Sequence, residues 1–411
     1  MRVLFTTLNG SGHFHPLVPL AQALEHAGHQ VAFACQPSYG PVVRASGFVA
    51  FPVGFAGAGT SPSGIDTMRA ALATLSEEER IAHLDERAIS TERGMRWVIG
   101  NIFGGLFAEQ SLPDLRDLIA DWHPSVLVHE AFEFGGYLAA EATGLPHAVV
   151  QNTTLIANDW RLAPLRVRLN RTRANLGLPP DDALAAPYRY LHLTTAPPAF
   201  HNSAVPVPDT THAVRLPSFD RSGEETLPDW VAQLPAYPLV YATLGTERLP
   251  GEPPYSAILA ALRDEPVSLI VTVGRGTDPA QFGTPPSNAH VERYIPQSLL
   301  LPRCTAIIHH AGWSTTMQAL ALGLPMVAIP LGNAQHDQAE QVVRLGIGRA
   351  LPDDARGPEG IRDAVRVVLG DPSYRQSAEY IRDEIAALPG PEYAVELLER
   401  LAREKQPILA S

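Results

Sequence analysis

Short apolar, β-branched runs alternate along the chain with longer segments of helical spacing. RVLFTT (2–7) reads as a buried strand, residues 16–27 as an amphipathic helix opened by Pro16, and QVAFA (30–34) as the next strand after Gly28. The order continues through SVLVHE (125–130), a helix near 136–143 and PHAVVQ (146–151). A second series begins at LVYATLG (239–245) and runs through SLIVTVG (268–274), HVERYIP (290–296), TAIIHH (305–310) and PMVAIP (325–330). Such alternation predicts two α/β halves, each a doubly wound, Rossmann-like parallel sheet covered by helices on both faces.

Two stretches break the rhythm. Segment 51–111 is first rich in Gly, Ala, Ser and Pro, then helical, with Met95, Trp97, Ile102, Phe103, Leu106 and Phe107 available to one pocket. A long insertion in a regular α/β half commonly carries binding function, and extra core helix is the plainer alternative. Residues 197–217 are proline-rich without helical periodicity and read as a linker. The expected division is a first domain at 1–200, a linker at 201–218, a second domain at 219–385 and a helical tail at 386–411.

Composition narrows the function classes. A chain of 411 residues exceeds one ordinary core, and 45% apolar with 18% charged residues is a globular balance. A net charge of -12 argues against nucleic acid and anionic membranes as partners, though backbone donors can still bind a phosphate-bearing small molecule. Only Cys35 and Cys304 are present, so no disulfide framework or CxxC motif exists, and a reducing cytoplasm is expected. No signal peptide is evident, and no run approaches the ~20 apolar residues of a membrane helix. His13 and His15 form an HxH pair without a third ligand of convincing spacing, so no metal is expected.

Two loops carry candidate chemistry. LNGSGHFHP (8–16) follows the first strand and holds His13 among glycines, where a neutral imidazole could take a proton from a hydroxyl. Such a base needs an orienting carboxylate. Glu130 ends a strand of the same half, His129 would point to the opposite face, and Glu133 is the rival. In the second half, Ala311 and Gly312 let a ligand approach the backbone, and Ser314, Thr315 and Thr316 open a helix whose N-terminus favours an anion. A diphosphate suits that corner.

The run HHAGWSTTMQALALGLPMVAIPLGNAQHDQAE (309–340) resembles the donor-binding signature of the family 1 glycosyltransferases, HHGGxGTTxEALxxGVPxVxxPxxxDQ, especially the bacterial branch that glycosylates antibiotics. Trp313 matches the HCGWNS form of plant relatives. The resemblance spans nearly the whole chain and implies the GT-B fold: two domains facing across a cleft, with the C-terminal helix returning to the first. It implies that His310, Gly312, Ser314 and Thr315 hold the diphosphate with Trp313 beside them, that Gln335 touches the sugar next to Asn333 and Ala334, and that Gly245 and Thr246 contact phosphate. YIPQ resembles the family's WxPQ, so Tyr294 would stack on the base while the chain through Ile295 and Gln297 reads its edge. Gly12, His13 and Pro16 reproduce the family's catalytic-base loop, which implies His13 as base, with Gly12 near the donor and Glu130 where many relatives carry aspartate.

Two departures bear on specificity. Gln318 replaces a glutamate that grips ribose hydroxyls, and Ala334 replaces an aspartate that grips sugar hydroxyls. Losing acceptors for hydroxyls matters most for sugars that have them, so the donor is expected to be a dTDP-linked deoxysugar. The reading is a metal-independent, inverting glycosyltransferase with an NDP-sugar co-substrate and no other cofactor. The acceptor is a small-molecule aglycone such as a polyketide, held against Trp97, Phe103, Phe107 and Phe132. A nucleotide-sugar 2-epimerase and a catalytically silent nucleotide-sugar-binding partner protein are the rival readings. The oligomeric state stays open, a homodimer included.

Overall fold

The computed structural model describes residues 1–57, 59–75, 92–155, 162–220, 225–245 and 253–410. The apolar runs become parallel strands of two separate sheets, each within its own compact unit. The first unit comprises Met1–Thr195, Ser203–Pro217 and Pro389–Ser411, and the second comprises Ala196–Asn202 and Ser218–Leu388.

The first sheet is built from β1 (Arg2–Thr7), β2 (Gln30–Cys35), β3 (Val49–Pro52), β4 (Val126–Glu130), β5 (His147–Val150), β6 (Leu191–Thr194) and β7 (Thr211–Ala213). Its order is β3-β2-β1-β4-β5-β6-β7, all parallel. β4 is buried at every position, as a strand covered on both faces must be. The chain reverses its direction of travel across the sheet between β1 and β4, so the loops leaving those neighbours splay apart into a crevice at their carboxyl ends. Phe5 and Phe33 stack at 4.9 Å below it, with Phe14 edge-on to Phe33 at 5.2 Å, which ties the loop after β1 to the core.

The second sheet contains β8 (Leu239–Thr243), β9 (Ser268–Thr272), β10 (Ala289–Glu292), β11 (Ala306–His309), β12 (Met326–Ala328) and β13 (Gly348–Ala350). The order β10-β9-β8-β11-β12-β13 places the equivalent switch point between β8 and β11. Among the described residues no helix is long and apolar enough to cross a membrane.

The proline-rich stretch holds more structure than a linker. Thr211–Ala213 pairs with β6 as the outer strand of the first sheet, and the Val214 N–H donates to the Thr194 carbonyl at 2.8 Å. An edge strand of this length needs no hydrophobic run. The tail folds as the helix Pro391–Glu404, whose Ala394, Leu398 and Leu401 are buried as it packs against the helix Val18–His26. His212 fastens the chain end, with Nδ1 bonded to the Tyr393 hydroxyl at 3.0 Å and Nε2 to the Ile408 carbonyl at 3.2 Å.

The helical half of the insertion adopts a π-helix, Ile99–Phe107, continuing into the helix Ala108–Trp122. Its wide turns bring Gly100, Gly104 and Gly105 against the helix Ala163–Asn175. A Cβ on Gly100 would stand 2.8 Å from the Leu165 backbone nitrogen, which cannot swing aside. Glu109 clamps the same pair of helices through Arg168 and Arg171, both at 3.0 Å. Gly100→Ala should therefore lower stability by about 1–3 kcal/mol. Gly370→Ala, which meets nothing within 4 Å, should be near neutral. Equal thermal midpoints for the two variants would contradict this packing.

Candidate active site

β1 and β4 are neighbours, so the loops leaving them meet at the first switch point. The short helix Ser11–Phe14 carries His13, whose Nδ1–H donates to Glu130 Oε1 at 2.9 Å. Glu130 is 0% exposed whereas the His13 side chain is 24% exposed, so a substrate reaches the imidazole but not the carboxylate. The other oxygen, Oε2, accepts the Phe132 N–H at 2.7 Å and Asn152 Nδ2 at 2.9 Å. With its proton held on Nδ1, a neutral His13 carries its lone pair on Nε2.

Glu133, the rival, faces another way. It caps the helix Phe134–Thr143, accepting the Gly135 N–H at 2.9 Å and the Gly136 N–H at 2.9 and 3.2 Å, and it also accepts the Thr6 hydroxyl. His129 points to the opposite face of β4, against Tyr137 and His147, and burial pushes its imidazole down to about 4. The structure thus brings together His13 and Glu130, and it adds Asn152, which sequence reasoning missed. The only sequence signal for Asn152 was a polar run, QNTT, directly after an apolar strand.

Aromatic rings wall the histidine. Phe103 and Phe132 present themselves edge-on to His13 at 6.3 and 6.1 Å between ring centroids. Phe107 does not reach it: its buried ring packs on Phe55 at 5.4 Å and on Phe103 at 6.0 Å, which makes it a rear wall. Trp97 lies half-buried in the same cluster. Beside Phe132 opens a cavity of about 440 Å³, lined also by Thr153, Thr154, Leu165, Leu169 and Tyr188. Among the described residues, the buried hydroxyls of Thr153 and Thr154 have no hydrogen-bond partner.

In the second unit, β8 and β11 are likewise adjacent. Gly245 follows β8 at φ 97° and Ala311 follows β11 at φ 59°, both left-handed, a conformation that costs alanine roughly 1 kcal/mol more than glycine. The His310 ring lies over Gly245 and Gly312; a Cβ on Gly312 would come within 2.3 Å of its Nε2. Desolvation holds His310 down to about 4, so with no anion beside it the ring is neutral at pH 7 and can act as a hydrogen-bonding group. Gly312 opens the helix Trp313–Ala321 with no side-chain cap, so Ser314 and Thr315 offer first-turn N–H groups. The Thr315 hydroxyl is already spent on Gln297 Oε1 at 3.2 Å.

Several expected donor contacts sit differently. The Trp313 indole is buried against Phe200 at 6.1 Å, and the Ile295 side chain is likewise core, so neither can touch a nucleotide with its side chain. Tyr294 donates its hydroxyl to the Asp220 carbonyl, and the Arg275 guanidinium covers one face of its ring at 3.8 Å. Gln335 Oε1 is occupied in capping its own helix, accepting the Leu331 and Gly332 N–H groups at 2.7 and 3.1 Å. Gln318 Oε1 is buried with no partner among the described residues, Ala334 is half-buried, and Gly12 is exposed with open space at its Cα. Thr246 and the side chain of Asn333 lie outside the described residues. Among the described residues, no group of three or more His, Cys, Asp and Glu is arranged to hold a metal.

The chain is similar to known proteins over nearly its whole length. The model for the erythromycin biosynthesis protein CIII-like N-terminal domain matches residues 22–245, and the corresponding C-terminal model matches 256–401. The L-demethylnoviosyl transferase of Streptomyces niveus is 31% identical over 418 residues, covering 99% of this chain and 100% of that protein. The 3-alpha-mycarosylerythronolide B desosaminyl transferase of Saccharopolyspora erythraea is 29% identical, covering 98% of each. The crystal structure of glycosyltransferase VinC in complex with dTDP superposes with a TM-score of 0.76 at 26% identity, covering 98% of this chain and 100% of that one. The two parallel-sheet units are those of the GT-B fold, as the sequence implied.

Glu133 makes the site's geometry testable by pH. Burial outweighs its hydrogen bonds and raises its carboxyl from the ordinary 4.5 to about 7. Below pH 4.5 both folded and unfolded chains hold the proton; between 4.5 and about 7 only the folded chain does, so this residue's contribution to stability falls as pH rises. Glu133→Gln cannot ionise, so wild type should lose stability relative to this variant across that window. A constant difference in unfolding free energy from pH 4.5 to 7.5 would refute the assignment.

Proposed function

Since this chain belongs to the erythromycin biosynthesis protein CIII-like family of glycosyltransferases, we propose that it moves a deoxysugar from a dTDP-linked donor to a hydroxyl of a polyketide-type aglycone, with inversion. The observation that carries the reading is the pairing of a reachable imidazole with a fully buried carboxylate at 2.9 Å. His13 Nε2 takes the acceptor proton, and the freed oxygen attacks the anomeric carbon as its bond to the diphosphate breaks. Glu130 stabilises the imidazolium that forms. Negative charge on the departing dTDP is met by the N–H groups at residues 312–315 and by the neutral His310, with no metal taking part.

The dTDP and deoxysugar assignments rest on two supports. Gln318 and Ala334 stand where hydroxyl-gripping carboxylates occur in the family, and the relatives include a desosaminyl transferase and a structure holding dTDP. For the acceptor, Phe103, Phe132 and the adjoining cavity offer an apolar surface beside His13, and the hydroxyls of Thr153 and Thr154 are available to its polar substituents.

Two measurements test the reading. His13→Ala should lower transfer to a hydroxylated polyketide by about 100-fold to 10,000-fold, while its calorimetric affinity for dTDP stays at the wild-type value. Wild-type protein should bind dTDP more tightly than UDP or GDP, equally with and without magnesium. A clear preference for UDP would remove the deoxysugar assignment, and a magnesium requirement would remove the metal-independent mechanism.

A further inference from the structure

The dyad is held by more than its two members. Asn152 lies just beyond the end of β5, the strand beside β4, and Glu130 pairs in register with Val150, so the asparagine overhangs the carboxylate. It is 8% exposed. Its Nδ2 donates to Glu130 Oε2 at 2.9 Å and to the Gly12 carbonyl at 3.4 Å, while its buried Oδ1 has no partner among the described residues. Both partners can only accept, so the amide orientation is determined: only the NH₂ end, with its two hydrogens, can serve them together. The neighbouring residue Gln151 pins the turn by donating Nε2–H to the Thr153 carbonyl at 2.6 Å, so Asn152 is presented in place.

We propose that Asn152 is a positioning residue for the reaction: it locks the buried carboxylate of Glu130 and the backbone preceding His13 in one register, so that His13 meets Glu130 through Nδ1–H and keeps its lone pair on Nε2. This rests on the dyad reading above. Without Asn152, Oε2 retains only the Phe132 N–H and the Gly12 carbonyl loses this donor, so the carboxylate can rotate and the tautomer of His13 is no longer fixed.

Two variants test it. Asn152→Leu should lower kcat by about 10-fold to 100-fold, with the donor KM unchanged. In ¹⁵N-histidine-labelled protein the Nδ1–H tautomer of His13, uniform in wild type, should become mixed. Asn152→Asp is isosteric and reads charge. At low pH the new carboxyl donates its proton to Glu130 and replaces the amide. As pH rises and that shared proton leaves, two carboxylates oppose each other, and the transfer rate should fall on an alkaline limb that wild type lacks. A merely space-filling asparagine would produce neither the mixed tautomer nor the new limb. Should Asn152→Leu fail to fold, the pH profile of Asn152→Asp decides alone. Transfer within about two-fold of wild type, with the wild-type pH profile and tautomer, overturns the proposal. If His13→Ala itself keeps its turnover, the dyad reading fails; if His13→Ala is inactive while both Asn152 variants match wild type, only this inference fails.

Discussion

A carboxylate with no exposed surface persists in a fold only when donors meet its oxygens, and the loops around Glu130 are arranged by that requirement. Burying an ionised carboxylate costs several kcal/mol, while a hydrogen bond to a charged group returns roughly 1.5–3 kcal/mol. Three donors, from His13, Phe132 and Asn152, are of the size needed to offset the burial. They come from the loops after β1, β4 and β5, so one buried charge fixes three loops at the carboxyl edge of the first sheet. The same burial keeps solvent from screening the imidazolium that forms when His13 accepts a proton, where a close negative charge counts most.

The two units use the same topological corner for opposite electrostatic ends. In the first, the imidazole is paired with a carboxylate that favours its charged form. In the second, the half-buried His310 ring lies over two glycines, and desolvation lowers it to about 4, which favours its neutral form. A base needs to accept charge; a diphosphate cradle needs donors that do not titrate in the working range. Backbone N–H groups at a helix N-terminus can meet an anion locally, so a net charge of -12 does not bar one from this corner.

Much of this was legible in the sequence because central parallel strands are buried on both faces and so appear as unbroken apolar runs. β1, β2, β4, β8, β9 and β11 were read that way. The strands at Val49–Pro52, Thr211–Ala213 and Gly348–Ala350 were not, since an edge strand of three or four residues needs little hydrophobic pattern. The π-helix was invisible because nine residues, two wide turns of i→i+5 bonding, are too few for its apolar spacing to be told from that of an α-helix. The motifs gave candidate positions, but not always what each side chain faces. Trp313, Ile295 and Phe107 look alike in sequence whether they touch a ligand or the core, and the structure places all three in the core. Glu133 could have been set aside earlier, since a carboxylate followed by Phe-Gly-Gly is a natural helix cap. Asn152 lay beyond reach, because its role depends on β4 and β5 lying side by side.

The proposed chemistry depends on Glu130 acting through the His13 tautomer. Glu130→Gln keeps the shape of the side chain but places an amide where a carboxylate accepted, so single-turnover transfer with a dTDP-deoxysugar should slow by at least about 100-fold, with calorimetric dTDP affinity unchanged. A Glu130→Gln enzyme that transfers sugar at the wild-type rate would contradict the account, because the buried charge would then have no part in the chemistry.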